Sequence, residues 1–110
     1  ESFAGRDSRN FHFMEGLAMK KAFRFLVQGT VQGVFFRKFV KENADELRLR
    51  GFVRNLESGE VEVVCEGEDE NLKRLFGFLK KGPEHAMIRE VKIEERKWSG
   101  DYKEFRILRF

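Results

Sequence analysis

Scarcity says much about this 110-residue chain, which has one cysteine, one proline, one tryptophan and two histidines. A lone thiol, Cys65, excludes an internal disulfide and favours a reducing, cytoplasmic setting. It sits where Val61, Val63 and Cys65 share one side of an alternating pattern, the place of a buried strand residue rather than a reactive one. A cysteine-dependent phosphatase needs Cys-x5-Arg, and the residue six before Arg37 is Val31, so no thiolate is available to form a phospho-enzyme. His85 stands alone near Pro83, where it reads as a surface loop residue, and no pair of carboxylates flanks the candidate site described below, so metal-assisted hydrolysis has no ligand set and no metal is expected. The Walker pattern for nucleotide triphosphates is absent as well. No apolar run approaches the ~20 residues that span a bilayer, nor does the N-terminus read as a signal peptide, so the chain is expected to be soluble and unexported.

Charge is abundant but nearly balanced, with 22 basic against 19 acidic residues and a net charge of +3. A sequence pI near 9.2 marks a weak positive field, enough to attract small phosphorylated anions and too diffuse to argue for nucleic acid or a membrane surface. The 37% charged content, rich in Lys, Arg and Glu, fits a thermophilic source. A chain of this length forms one domain and buries enough surface to fold without disulfides or metal.

Residues 1–18 show neither strand nor helix periodicity, and Met19-Lys20-Lys21 reads as a natural start; the stretch, with His12 in it, is expected to be a disordered tail or a cloning remnant ahead of a single domain over 19–110. In that domain Phe23, Phe25 and Val27 alternate with Ala22, Arg24 and Leu26 as a first strand. Phe36, Val40, Ala44 and Leu47 recur at helical spacing and predict a helix over about 35–48. Phe52 to Leu56 and Glu60 to Gly67 predict a hairpin across Glu57-Ser58-Gly59. Asp69 or a neighbour would cap a second helix carrying Leu72, Leu75, Phe76 and Leu79, with Lys80 and Lys81 at its negative end and Gly82-Pro83 as the stop. Ile88 to Arg96 and Glu104 to Phe110 give the last strand signals. The order βαββαβ plus a short extra C-terminal strand predicts an α+β, ferredoxin-like sandwich, an antiparallel sheet with two helices packed on one face.

Fold alone does not choose a function, so the chemistry-bearing residues must. Residues 29–37 read Gly-Thr-Val-Gln-Gly-Val-Phe-Phe-Arg, a glycine-bracketed turn between a strand and a helix with an arginine in the first helical turn. Gly29 and Gly33 tolerate positive φ and close backbone approach, the free N–H groups and the positive helix end attract an anion, and Arg37 adds a bidentate fork for phosphate oxygens. The plainer alternative is a structural turn with a solvated arginine. Asn55, late in the second strand, lies at the same sheet end; its amide donates and accepts, so it could hold a water in line with phosphorus, or simply serve the geometry of the turn beside Ser58-Gly59.

The string Gly29-x-Val31-Gln32-Gly33-Val34-x-Phe36-Arg37 resembles the signature of the acylphosphatase family, and a second family block stands as Gly51-Phe52-Val53-Arg54-Asn55 with Gly59 behind it. The resemblance runs from about Lys20 to Phe110, whose closing Phe105-Arg106-Ile107-Leu108-Arg109-Phe110 is similar to the aromatic-ended last strand of that family. It implies hydrolysis of an acyl phosphate to a carboxylate and inorganic phosphate without a cofactor, with those small molecules as partners; the chain itself is expected to be a monomer. Arg37 and Asn55 would be the catalytic pair. The phosphoryl group would be held by Arg37 with the backbone amides of Gln32, Gly33, Val34, Phe35 and Phe36, while Asn55 orients the water. Two departures stand out: Phe52 replaces a tryptophan common in the family, and Leu56 follows Asn55 where some members carry a hydroxyl. A related sequence opens a much larger hydrogenase-maturation carbamoyltransferase, whose zinc-binding Cys-x2-Cys pairs have no counterpart in a sequence with one Cys. Two other classes compete: a single-stranded RNA-binding module, since Arg50-Gly51-Phe52-Val53 loosely echoes an RNA-recognition strand, and a catalytically silent relative.

Overall fold

Strand and helix periodicities meet in a two-layer sandwich. The computed structural model describes residues 20–33 and 35–109; the expected tail over 1–18 and the candidate Val34 lie outside the described residues. The elements are β1 (Lys20–Thr30), α1 (Phe36–Glu46), β2 (Arg50–Asn55), β3 (Val61–Glu68), α2 (Asp69–Lys81), β4 (Met87–Arg96) and β5 (Phe105–Leu108). The sheet order is β4-β1-β3-β2-β5. Its first four strands are antiparallel throughout, as the ferredoxin-like reading requires, whereas β5 lies parallel to β2 and makes the sheet mixed. The reason is the path of the chain: β4 ends beside the start of β1, where Ala22 pairs with Arg96, so residues 97–104 cross beneath the sheet and β5 begins beside the start of β2, where Gly51 pairs with Phe105.

Strand alternation sorts the residues. Phe25, Val27, Val53, Val61, Val63 and Cys65 are all fully buried on the helix side, against the stripes Phe36, Val40 and Ala44 of α1 and Leu72, Leu75 and Leu79 of α2. The Phe25 and Phe76 rings stack at 6.1 Å between sheet and helix. Cys65, expected to be buried, is buried, and desolvation pushes its thiol well above the ordinary value. The other side is polar but covered: Glu62, Val64 and Glu66 of β3 are buried there, Glu62 accepting bonds from Arg24 Nε and from Arg54 Nε at 2.6 Å. Phe52 lies on this side too, edge-on to Tyr102 at 6.2 Å, so the aromatic that replaces tryptophan is a packing residue rather than an open platform for stacking a base.

Two local expectations are refined. Of Asp69 and its neighbours it is Glu68 that holds the cap position of α2, with no side-chain bond, while Asp69, first in the helix, is buried with its carboxylate 3.2 Å from Lys73 and 3.9 Å from Lys21. Gly29 takes the positive φ expected of it, and what crowds it is a neighbouring strand. It sits at a break in register in the β1–β4 ladder with φ 139°, and a Cβ there would lie 2.1 Å from the Met87 carbonyl oxygen, so it is the close approach of β4 that demands glycine.

Candidate active site

The β1–α1 connection is short and oddly made. Gly33 turns the chain with φ 81° and nothing within 4 Å of where a Cβ would stand, so its glycine answers to conformation, not crowding. Phe35 follows in the left-handed region at φ 58°, ψ 30°, a placement costing a non-glycine residue about 1–2 kcal/mol. It is the N-cap of α1, where it makes no side-chain cap bond, so among the described residues no such bond satisfies the first-turn N–H groups. Phe36 then swings into the core, 2% exposed, and Arg37 comes out of the first turn half-buried.

Two clamps hold this loop. The Gln32 side chain donates from Nε2 to the carbonyls of Leu56 and Glu60, each at 3.0 Å, tying the loop to the β2–β3 turn; Leu56 thus contributes its backbone where the family resemblance suggested a lost hydroxyl. Arg37 Nη1 donates to the carbonyl of Leu108 at 3.0 Å. That contact follows from the parallel strand: β5 pairs Leu108 with Arg54, one residue before Asn55. Holding one edge of the guanidinium fixes its plane and leaves further N–H donors of its fork.

Asn55 comes to the same place by alternation. It is in register with Val61 and shares the helix side of the sheet with Val53, which puts its amide at the sheet end beneath the start of α1. The result is a cavity of about 430 Å³ in which Gln32, Gly33, Phe35, Phe36, Arg37 and Asn55, all read from the sequence as site residues, meet. Lys38, Ile107 and Arg109 also line it and were not anticipated. Alternation from Phe105 through Ile107 to Arg109 could have flagged the last two, had the sequence said that β5 joins the β2 edge. Among the described residues three cations and no carboxylate face the cavity, a field suited to an anion. No group of three His, Cys, Asp or Glu placed to hold a metal occurs among the described residues, and His85 is an exposed loop residue with φ 75°. Among the described residues no helix is long and apolar enough to cross a membrane.

Similarity to known proteins points the same way. The acylphosphatase family model matches residues 23–107. An acylphosphatase of Pseudomonas aeruginosa is 49% identical over 74 residues, 67% of this chain and 81% of that protein. Among solved structures, an acylphosphatase from Coxiella burnetii superposes with a TM-score of 0.79 at 39% identity, covering 84% of this chain and 97% of that one. HypF from T. kodakarensis matches at a TM-score of 0.71 and 37% identity over 80% of this chain but only 12% of its own length.

Proposed function

The chain belongs to the acylphosphatase family, and from that membership and the Arg37–Asn55 cavity we propose that it hydrolyses acyl phosphates by positioning and electrostatics alone. The observation that carries this reading is the meeting of a clamped arginine and an asparagine in one cavity lined by cations and free of carboxylates among the described residues. Arg37, with backbone N–H groups of residues 32–36, binds the phosphoryl oxygens and offsets their charge as the P–O bond stretches. Asn55 holds a water in line with phosphorus, its carbonyl accepting one water hydrogen and its amide free to donate to a phosphoryl oxygen or the water itself.

The water oxygen forms the new bond to phosphorus while the bond from phosphorus to the acyl oxygen breaks and its electron pair leaves with the carboxylate. The proton lost by the water passes to a phosphoryl oxygen. A carboxylate with a pKa of about 4–5 departs without protonation, so no general acid is required, which suits a site without one. The reading takes the molecule as a monomer in a reducing compartment, in keeping with the buried thiol of Cys65.

The test is cleavage of benzoyl phosphate, with an alkyl phosphate monoester as control, by the parent protein and by Asn55→Ala. The parent should cleave only the acyl phosphate, and Asn55→Ala should lose about 10²-fold or more in kcat while inorganic phosphate still inhibits it, because the water and not the phosphate has lost its holder. A variant that keeps its rate and loses phosphate inhibition would show that Asn55 binds phosphate instead.

A further inference from the structure

Only part of the cavity is polar. Phe35 and Phe36 are consecutive residues of one kind with opposite fates, since the second fills the core at 2% exposed and the first is 84% exposed while lining the cavity. An exposed left-handed position is one for glycine or asparagine; a phenylalanine at φ 58° adds backbone strain to a ring left in water. Among the described residues no packing calls for it, because the helix that follows is anchored by Phe36, Val40 and Ala44. What the ring does have is position, at the open side of a cavity whose Arg37 lies two residues on.

We propose that Phe35 receives the acyl half of the substrate, so that the enzyme favours acyl phosphates with aromatic or bulky apolar acyl groups over short ones. This rests on the phosphoryl group being held at Arg37. With phosphate and water occupying the polar end beside Arg37 and Asn55, the acyl group extends toward the mouth, where the Phe35 ring offers a flat apolar face held in place by a short loop. Strained, exposed residues of this sort are characteristic of ligand contacts. A phenyl group stacked there exchanges two wet faces for one contact, while an acetyl group is too small to cover the ring.

The experiment compares benzoyl phosphate with acetyl phosphate on the parent, Phe35→Asn and Phe35→Tyr. Asparagine suits the left-handed backbone and removes the ring; tyrosine keeps the ring. The ratio of kcat/KM for benzoyl over acetyl phosphate should fall roughly 3- to 10-fold in Phe35→Asn, mostly through KM for benzoyl phosphate, and stay within about twofold of the parent in Phe35→Tyr. Taking a ratio removes any common effect of the loop on turnover. A ratio unchanged in Phe35→Asn, with the parent active on both substrates, overturns this proposal and leaves the hydrolytic reading standing. A parent that cleaves neither substrate overturns both.

Discussion

Cavities open at both ends of the sheet, and among the described residues each is lined by three cations. At the end where β1 begins, Lys20, Arg48 and Arg50 line about 220 Å³ together with Glu66 and Glu68. At the end where β1 stops, Arg37, Lys38 and Arg109 line about 430 Å³ with no carboxylate among the described residues. The loops differ in the same sense. Glu66, 6% exposed, receives Ser99 N at 2.9 Å, Ser99 Oγ at 2.8 Å and Gly100 N at 2.9 Å, so its charge is spent on ordering the 97–104 crossing. The β1–α1 loop has a helix start without a side-chain cap bond at Phe35, a strained Phe35 and an arginine bonded to one carbonyl, and on the proposed reading its charge is left to an incoming anion. One fold thus uses the same kinds of groups to finish itself at one end and to stay unfinished at the other.

The sharpest probe of that contrast is Arg37→Lys. Lysine keeps the positive charge and loses the planar fork that, on the proposed reading, holds the Leu108 tether with one nitrogen and phosphoryl oxygens with the others. Turnover of benzoyl phosphate should fall about 10²- to 10⁴-fold, with Tm within a few degrees of the parent because a half-buried side chain at the rim carries little of the core. Near-normal turnover would mean that this end needs only net charge.

Much of this was readable beforehand, for definite reasons. Period-2 and period-3.6 patterns as regular as those of Phe23 to Val27 and Phe36 to Ala44 leave little choice of element, and Gly33 marks the turn because its positive φ suits glycine. What escaped depends on neighbours distant in sequence. The roles of Ile107 and Arg109 follow from β5 adding to the β2 edge, and the true reason for Gly29 lies in the Met87 carbonyl across the β4 ladder, a contact 58 residues away that no local pattern announces. Which of Asp69 and its neighbours takes the cap position stays open in the sequence, because capping statistics know nothing of Lys21 on a neighbouring strand.

The finished end is probed by Glu66→Gln. An amide in place of the carboxylate turns one of two acceptor oxygens into a donor facing Ser99 or Gly100, so at least one backbone N–H loses its bond. The expected loss is about 2 kcal/mol, roughly 10 °C in Tm for a domain of this size, with kcat at 25 °C nearly unchanged because β5 keeps its ladder with β2. A Tm within about 2 °C of the parent would show that the crossing is held by something other than this carboxylate.

A smaller effect is expected at Glu62, midway between the ends on the face away from the helices. Burial alone would raise its carboxyl, but hydrogen bonds from Arg24 and Arg54, with their charges behind them, hold it below its ordinary 4.5. A carboxyl lowered by folding stabilises the native state above the unfolded value and ceases to do so as pH falls through the folded one, so this contribution is whole at neutral pH and drains away below about pH 4.5. Arg24 and Arg54 remain 26% and 38% exposed, and solvent screening keeps the loss on Glu62→Gln near ~1 kcal/mol at pH 7. Urea unfolding at pH 7 and pH 3 distinguishes this from a packing effect. The gap between parent and variant should narrow at pH 3, on the way down through the lowered value of the folded carboxyl, whereas a gap of equal size at both pH values would mean that shape rather than charge is what Glu62 supplies to the sheet.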